Sequence, residues 1–473
     1  MYWLFIRSVA SRLVSSMAEV KTERIPLSGK ATLGRVAMAG SAWTILGHAG
    51  QQILRVGTQV IIVNQLMPEA VGLFILVSIW VQGIQLFTDM GIGANIIQHE
   101  RGNDTTFLRT AWTFQIFRGI VIFLLVAAAA YPLSQHYDQP LLFWLLPIAA
   151  TEALCNGFAT TSIFLANRRL QMSWVTLLDL GANFAGAVVA ITWVLIHPTV
   201  WAYLALPVTR AVVRLTASHI IFNEPRMGFQ FDRDVIRSLI SFGKWIFISS
   251  ILGFLSVSMD RLVLPEVLDS LAEFGVYGVA VLWARGVVTG LHTIAHKVLL
   301  PLYAHMADDD RDKFADRIFR VRGALLLFSL PVIYFFVLFG EPFVALVHHE
   351  RYADAGWILQ VLASGAAVSA IIATSGCVLL AVGDSFRFMI TLFTGLVAMS
   401  TSMFVGYNID TTALLGYDIS PTTGVIIGIA CAELFNYPVV AALTHRYGVW
   451  LPKLDLPLLA LSGVVIWIAF WVL

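Results

Sequence analysis

The sequence is poor in charge and in cysteine. Only 12% of its 473 residues are charged, against about 25% in an ordinary soluble domain. Its three cysteines, Cys155, Cys377 and Cys431, each lie inside an apolar run without CxxC spacing, so we predict small core side chains there and neither disulfides nor metal ligands. The near balance of 30 Lys and Arg against 29 Asp and Glu argues against a nucleic-acid partner.

The chain also lacks a hydrophilic stretch long enough for a soluble domain. Apolar runs of the length that spans a bilayer, roughly 20 residues, follow one another from Leu33 to Leu473. Hydropathy therefore predicts an all-α polytopic membrane protein with thirteen transmembrane helices. Their predicted ranges are 38–66, 71–98, 107–132, 141–165, 173–196, 199–222, 240–265, 273–303, 321–340, 355–381, 387–406, 421–443 and 456–473.

Lys and Arg occur in alternate loops. The N-terminal tail and the loops near 101–109, 168–169, 226–237, 311–322, 387 and 446–453 carry them, whereas 67–71, 131–140, 196–200 and 407–421 carry none. Because cytoplasmic loops are rich in positive charge, the pattern predicts a cytoplasmic N-terminus, whether the chain starts at Met1 or at Met17. Arg351 is the one exception outside, and an odd number of helices places the C-terminus outside.

A weak internal repeat relates the two halves of the chain. With a shift of 203 positions, Gly72 falls on Gly275, Trp80 on Trp283 and Gly83 on Gly286. Both copies open a helix that crosses the membrane in the same direction, as in transporters built from parallel repeats. We therefore expect two pseudo-symmetric six-helix bundles around a central cavity, plus one or more C-terminal helices. The predicted parts are a cytoplasmic tail (1–36), an N-lobe (37–222, helices 1–6), a cytoplasmic inter-lobe loop (223–239), a C-lobe (240–443, helices 7–12) and C-terminal helix 13 (444–473).

Several predicted helices carry polar residues along one face. The spacing puts His48, Gln52, Arg55 and Gln59 on one face of helix 1, Ser78, Gln82, Gln85 and Asp89 on helix 2, and Arg285, Thr289, His292 and His296 on helix 8. Polar groups inside a membrane are costly, so they normally face a cavity or one another. Either a substrate cavity or neutralising pairs between helices accounts for each charge.

We predict that the arginine-rich faces line a substrate cavity. Cations outnumber acids near the middle of the first bundle, which favours an anionic substrate, and a guanidinium can bind phosphate oxygens in a bidentate manner. The predicted cavity residues are His48, Gln52, Arg55, Gln82, Arg118, Arg210, Arg214, Arg285 and His292. The candidate carriers of a coupling ion are Asp89, Asp260 and Glu433. No cofactor and no metal site are predicted.

Two blocks of sequence resemble a known family. The first comprises Gly47-His48, Gln51-Gln52, Arg55, Asn64–Phe74 and Phe87–Gln98, and the second comprises Ser241–Trp245, Ser258–Arg261 and Glu273–Tyr277. Together they are similar to the signatures of polysaccharide-repeat-unit flippases, a branch of the multidrug/oligosaccharidyl-lipid/polysaccharide exporter superfamily. Members commonly have twelve or fourteen spans, so the predicted thirteen departs from the family at the C-terminal end.

The resemblance implies two six-helix lobes, a V-shaped cavity and alternating access. The implied substrate is an undecaprenyl-pyrophosphate-linked oligosaccharide, moved across the bacterial inner membrane for exopolysaccharide, capsule or O-antigen synthesis. A polysaccharide polymerase and a chain-length regulator are the implied protein partners, beside the membrane lipid itself. The chain is then a transporter and not an enzyme.

Two other functions compete with a flippase. A multidrug exporter of the same fold would favour acids deep in the lobes, whereas helix 1 carries Arg55 and no acid. A membrane glycosyltransferase or polymerase would need a catalytic loop outside the membrane, and the loop at 407–421 has no evident base, nucleophile or metal cluster. His348-His349 are adjacent and cannot share a helix face, so a short outside loop explains them better than zinc.

Overall fold

The helices follow from the apolar runs. In the computed structural model the described residues are 47, 50–87, 91–169, 171–222, 226–295, 299, 303, 311–382, 384–409 and 420–471. They form helices joined by short turns, with no strand among them, which confirms the all-α fold class. The predicted tail at 1–36 and the site candidates His48 and Asp89 lie outside the described residues.

The first half contains α1 to α8. They are α1 at 50–65, α2 Pro68–Phe87, α3 Ile92–Gln98, α4 Thr105–His136, α5 Leu142–Phe158, α6 Ser162–Arg168, α7 Met172–Ile196 and α8 Val200–Ile221. The prediction of one helix over 71–98 is wrong, because Gly91 adopts a left-handed conformation, with φ of 59°, just before α3. Glycine tolerates this conformation, which ends the α-helical path of the chain.

The second half contains α9 to α15. They are α9 Arg233–Val267, α10 Leu271–Ile294, α11 Arg311–Val347, α12 Ala355–Ala381, α13 Ser385–Asn408, α14 Pro421–His445 and α15 Pro452–Trp471. The predicted inter-lobe loop, 223–239, is too long: Asp232 caps α9 by accepting hydrogen bonds from the amides of Asp234 and Val235, so the helix begins at Arg233.

Ten described helices are long and apolar enough to span a membrane, or eleven if the bent pair α5 and α6 is one span. The bend between that pair is 62°. The two other predicted spans correspond to α1, which is described only in part, and to α9. Charged residues Lys244, Asp260 and Arg261 interrupt the apolar character of α9.

The two halves pack as separate bundles that meet along α2, α9 and α10. Within the first half α4 packs on α5 and α7 on α8, and within the second α11 packs on α12 and α13 on α14. Between the halves, α2 packs on α10 and α9. The additional helix, α15, lies against α11 and α12.

The crossing of α2 and α10 has the symmetry that the repeat predicts. A Cβ atom on Gly72 would lie 2.1 Å from the Leu271 carbonyl oxygen, and one on Gly275 would lie 2.0 Å from the Pro68 carbonyl oxygen. Pro68 and Leu271 are themselves related by the 203-residue shift. Equivalent glycines therefore let the two backbones touch at an approximate two-fold axis between the lobes.

A buried ion pair attaches α15 to the C-lobe. Arg322 on α11 and Asp455 on α15 are each 1% exposed and lie 2.7 Å apart between Nη2 and Oδ1. Tyr437 donates to the second carboxylate oxygen at 3.2 Å, and Arg322 Nε donates to Thr374 Oγ1 at 3.3 Å. Because removing one partner of such a pair leaves an uncompensated buried charge, the docking of α15 depends on both.

Asp455→Ala should destabilise the protein by about 3–5 kcal/mol, since it leaves Arg322 buried without a counter-charge. The measurement is thermal unfolding of the detergent-solubilised protein. The double variant Arg322→Met, Asp455→Leu should recover most of the loss because no buried charge remains. Arg320→Ala, which removes the exposed pair with Asp316, is the control and should change little. A double variant as unstable as Asp455→Ala would contradict the electrostatic explanation.

Candidate functional site

A polar cavity of about 240 Å³ lies inside the N-lobe. Helices α1, α5, α7 and α8 supply its walls, and its lining residues are Gln51, Glu152, Asn156, Asp179, Ala182, Asn183, Arg210 and Arg214. Polar residues from several N-lobe helices therefore converge at this cavity. Glu152, Asn156 and Asn183 were not among the predicted site residues, although each is a polar residue inside a predicted span.

Two of the predicted cavity arginines are paired with acids. Arg210 Nη2 contacts Glu152 Oε1, and Arg214 Nε lies 3.0 Å from Asp179 Oδ1. Arg214 also donates to Asn156 Oδ1 at 3.5 Å. Of the two explanations left open for each charge, pairing between helices applies to Arg210 and Arg214, which also line the cavity.

Arg118 lies beside the first cavity. It lines an adjoining space of about 180 Å³ together with Gln85, Gln115, Asn156 and Arg214, and its Nη2 donates to the Gln85 carbonyl oxygen at 3.0 Å. Gln115 satisfies the C-terminal carbonyls of α5, donating to Asn156 O at 2.8 Å and Gly157 O at 3.1 Å. The end of α5 and Asn156 are thereby fixed next to Arg118.

Arg55 lies on α1, one turn after Gln51, and therefore on the same side of the helix as that cavity residue. Its side chain is exposed and has no acidic partner among the residues the structure describes. Gln51, and not the predicted Gln52, lines the cavity. Gln52 is half-buried and Gln82 is exposed, and neither lines the cavities described for the N-lobe.

A second cavity, of about 230 Å³, lies inside the C-lobe. Arg285 and His292 on α10 line it together with Glu433 and Asn436 on α14. The sequence assigned Arg285 and His292 to substrate and Glu433 to a coupling ion, and the structure places all three in one cavity. Glu433 accepts a hydrogen bond from Asn436 Nδ2 at 3.2 Å.

Asp260 is fully buried behind this cavity. Its Oδ2 lies 3.1 Å from Arg285 Nη2 and accepts a hydrogen bond of 2.5 Å from the Tyr277 hydroxyl. Arg285 also donates to the Val257 carbonyl oxygen at 2.6 Å. Two residues predicted to have separate roles therefore form one ion pair. Of the two acids, Glu433 is the one that lines the cavity, and the described residues contain no His, Cys, Asp and Glu cluster suited to a metal.

The two lobes are joined by hydrogen bonds at one end of the molecule. Here, "outer end" means the end formed by residues 66–67, 137–141, 197–199, 268–270 and 348–354, which the loop charges assign to the outside. Arg351 Nη2 donates to the Asn64 carbonyl oxygen at 2.5 Å, and the Tyr352 hydroxyl donates to Leu66 O at 2.9 Å. His348 Nδ1 lies 3.0 Å from Asn64 Oδ1.

Arg351, the arginine that departs from the loop-charge pattern, connects the end of α1 to the C-lobe. His348 is 5% exposed and hydrogen-bonded, so the short connection predicted at His348-His349 also carries a contact between the lobes. The only sequence signal for this contact was the single arginine that departs from the charge pattern. The lobes are closed against each other at the outer end in this conformation.

The chain is similar to known proteins over most of its length. It is 20% identical over 420 residues to the teichuronic acid biosynthesis protein TuaB of Bacillus subtilis, covering 88% of this chain and 82% of that one. It is 23% identical over 401 residues to the lipopolysaccharide biosynthesis protein WzxC of Escherichia coli, covering 80% of this chain and 78% of that one.

Solved structures share the fold. The lipid II flippase MurJ in an inward closed conformation superposes with a TM-score of 0.65 at 11% identity, covering 89% of this chain and 91% of MurJ. An inward-facing multidrug resistance transporter of the MATE family superposes with a TM-score of 0.64 at 14% identity, covering 84% of this chain and 95% of the transporter. Residues 62–356 match the family described as polysaccharide biosynthesis protein, and the chain belongs to that family.

Proposed function

We propose that the protein is a flippase that moves undecaprenyl-pyrophosphate-linked oligosaccharide repeat units across the bacterial inner membrane by alternating access. The observation that carries the proposal is the N-lobe cavity, a polar space between apolar helices that is lined by Arg210 and Arg214 and adjoined by the space that Arg118 lines. A diphosphate must cross the apolar region with its charges compensated, and arginines are suited to that task. TuaB and WzxC, both named for polysaccharide biosynthesis, support the same class of substrate.

Arg55 and Arg118 are the residues we assign to the diphosphate. Arg55 has no acidic partner among the described residues, and Arg118 lines the adjoining polar space, where its Nη2 donates to the Gln85 carbonyl oxygen. Arg210 and Arg214 already share their charges with Glu152 and Asp179, so they contribute less net attraction. The neutral hydrogen-bonding groups Asn156, Asn183 and Gln51 are suited to the sugar hydroxyls.

The C-lobe cavity is our candidate for coupling to an ion gradient, with Glu433 as the carrier. Its carboxylate faces the cavity beside His292, whereas Asp260 is already compensated by Arg285. Under this proposal the N-terminus lies in the cytoplasm, and a polysaccharide polymerase and a chain-length regulator act on the product outside. The protein is a transporter and catalyses no covalent step.

The alternative is a multidrug exporter, which the likeness to a MATE transporter favours. Proteoliposomes containing the purified protein distinguish the two functions. A fluorescent undecaprenyl-diphosphate oligosaccharide should become accessible on the opposite leaflet faster than in protein-free vesicles, and a cationic dye should not be moved. Vesicles that move the dye and leave the lipid-linked sugar in place would overturn the flippase proposal.

A further inference from the structure

A relay of three hydrogen bonds connects the lobes at the outer end. Trp283 Nε1 on α10 donates to His348 Nε2 at 2.9 Å. The other ring nitrogen of His348, Nδ1, lies 3.0 Å from Asn64 Oδ1 on α1. Asn64 Nδ2 in turn donates to the Val347 carbonyl oxygen at 2.8 Å. Two C-lobe elements and one N-lobe helix therefore meet at the imidazole ring.

The relay fixes the protonation state of His348. The indole N–H of Trp283 can only donate, so His348 Nε2 must be an unprotonated acceptor. A neutral imidazole then carries its proton on Nδ1 and donates it to Asn64 Oδ1. The orientation of the Asn64 amide agrees, because the backbone amide of His349 also donates to Oδ1, at 3.3 Å. One tautomer of the neutral ring satisfies every partner.

A proton added to His348 has no acceptor in this arrangement. It would place an N–H on Nε2 directly against the N–H of Trp283, where two donors face each other at 2.9 Å. A buried donor without an acceptor costs about 1–3 kcal/mol, and more when it is charged. A protonated ring that turns away from Trp283 also moves its Nδ1 away from Asn64 on α1.

The surroundings of His348 offer the added charge little compensation. Arg351 binds the same asparagine through Asn64 O at 2.5 Å, and the neutral Tyr352 ring lies 6.2 Å from the imidazole. Glu69 at the start of α2 acts electrostatically on Tyr352. No described carboxylate forms a hydrogen bond or ion pair with His348. Burial accordingly lowers the pKa of His348 from 6.5 to about 4.

We propose that His348 is a proton-binding site that controls the outer end, so that binding of a proton at Nε2 breaks the contact with Trp283 and releases the two lobes. This inference rests on the proposed alternating access and adds to it a latch, by which we mean the hydrogen bonds of His348 with Trp283 and Asn64. The direction of the pH dependence follows from the lowered pKa of His348 in the closed state. Above pH 6.5 the closed state keeps its full stability relative to the open state, and it loses that stability as the pH falls from 6.5 towards 4.

A second pair of ionisable side chains joins the lobes. His136 Nε2 at the end of α4 lies 2.9 Å from Glu266 Oε1 at the end of α9. Both side chains are half exposed or more, so this pair contributes little to the contact between the lobes.

The test measures the outer end directly in the full-length protein. Spin labels at Gln135 and Asp354, two exposed positions at the outer ends of the two lobes, report their separation after Cys155, Cys377 and Cys431 are replaced by serine. Between pH 7.5 and pH 5.5 the ratio of open to closed molecules should rise about tenfold, as the shift in the His348 pKa requires. The measurement is made on protein in lipid nanodiscs, without substrate.

Three variants decide the outcome. His348→Gln should remove the acid-induced opening, and Trp283→Phe should reduce it strongly although the histidine remains, because the opposing donor is gone. His349→Gln, an exposed neighbour, is the matched control and should keep the wild-type response. A His348→Gln or Trp283→Phe protein that opens like the wild type would overturn the latch. Since the measurement needs no substrate, a working latch in vesicles that fail to move lipid-linked sugar would refute only the proposed flippase.

Discussion

Arg55→Glu is expected to abolish transport while the protein still inserts and accumulates. The side chain is exposed beside the N-lobe cavity and makes no ion pair with a described residue, so the substitution breaks no internal contact that the structure describes. It replaces a cation at the proposed diphosphate site with an anion. Loss of one charge-assisted hydrogen bond costs about 2 kcal/mol, or about 30-fold in affinity, and repulsion adds to it. The measurement is flipping of lipid-linked oligosaccharide in proteoliposomes.

A series of substitutions at Arg55 distinguishes an effect of charge on transport from an effect on folding. Arg55→Lys should keep most of the activity, and Arg55→Gln should fall between lysine and glutamate. Arg169→Glu reverses a charge on an exposed residue after α6 and should transport normally. Arg118→Glu should be at least as inactive as Arg55→Glu, and it also loses the bond to Gln85. Normal transport by Arg55→Glu and by Arg118→Glu would show that these two arginines do not bind the substrate.

The helices and the repeat were predictable because they rest on local sequence. Apolar runs of sufficient length must be helical in a bilayer, where the backbone has to satisfy its own hydrogen bonds. The repeat aligned Gly72 with Gly275 across 203 positions, but their contact was not predicted and became visible only in the structure. Breaks such as the one at Gly91 depend on one backbone angle and are not visible in hydropathy.

The site was only partly predictable, because charge pairing depends on three-dimensional contacts. Glu152 and Arg210 are 58 positions apart, and Asp179 and Arg214 are 35 apart. Neither separation carries a periodic signal, so the sequence left open whether each arginine is paired and could not name its acidic partner. The same limit applies to His348, which meets Asn64 across 284 positions. Polar residues were correctly located in the spans, and their partners were not.

Gly72→Ala is expected to prevent closure of the outer end. The new Cβ would lie 2.1 Å from the carbonyl oxygen of Leu271, and backbone atoms cannot rotate away as a flexible side chain does. The helices α2 and α10 must separate, which holds the lobes apart where alternating access requires them to meet. Transport should fall by about tenfold or more, corresponding to a closed state weakened by at least ~1.4 kcal/mol. The spin-label pair at Gln135 and Asp354 should report a larger separation at neutral pH.

The repeat supplies its own controls for this prediction. Gly275→Ala should have the same effect, since its Cβ would lie 2.0 Å from the Pro68 carbonyl oxygen. The double variant should be little worse than either single one, because helices separated by the first methyl group accommodate the second, and contacting residues are not additive. Gly286→Ala on the same helix meets nothing within 4 Å and should transport normally, with a gain in helix propensity of about 1 kcal/mol. Two fully additive single effects would mean that the glycines act separately within each lobe and that their contact does not set the closed state.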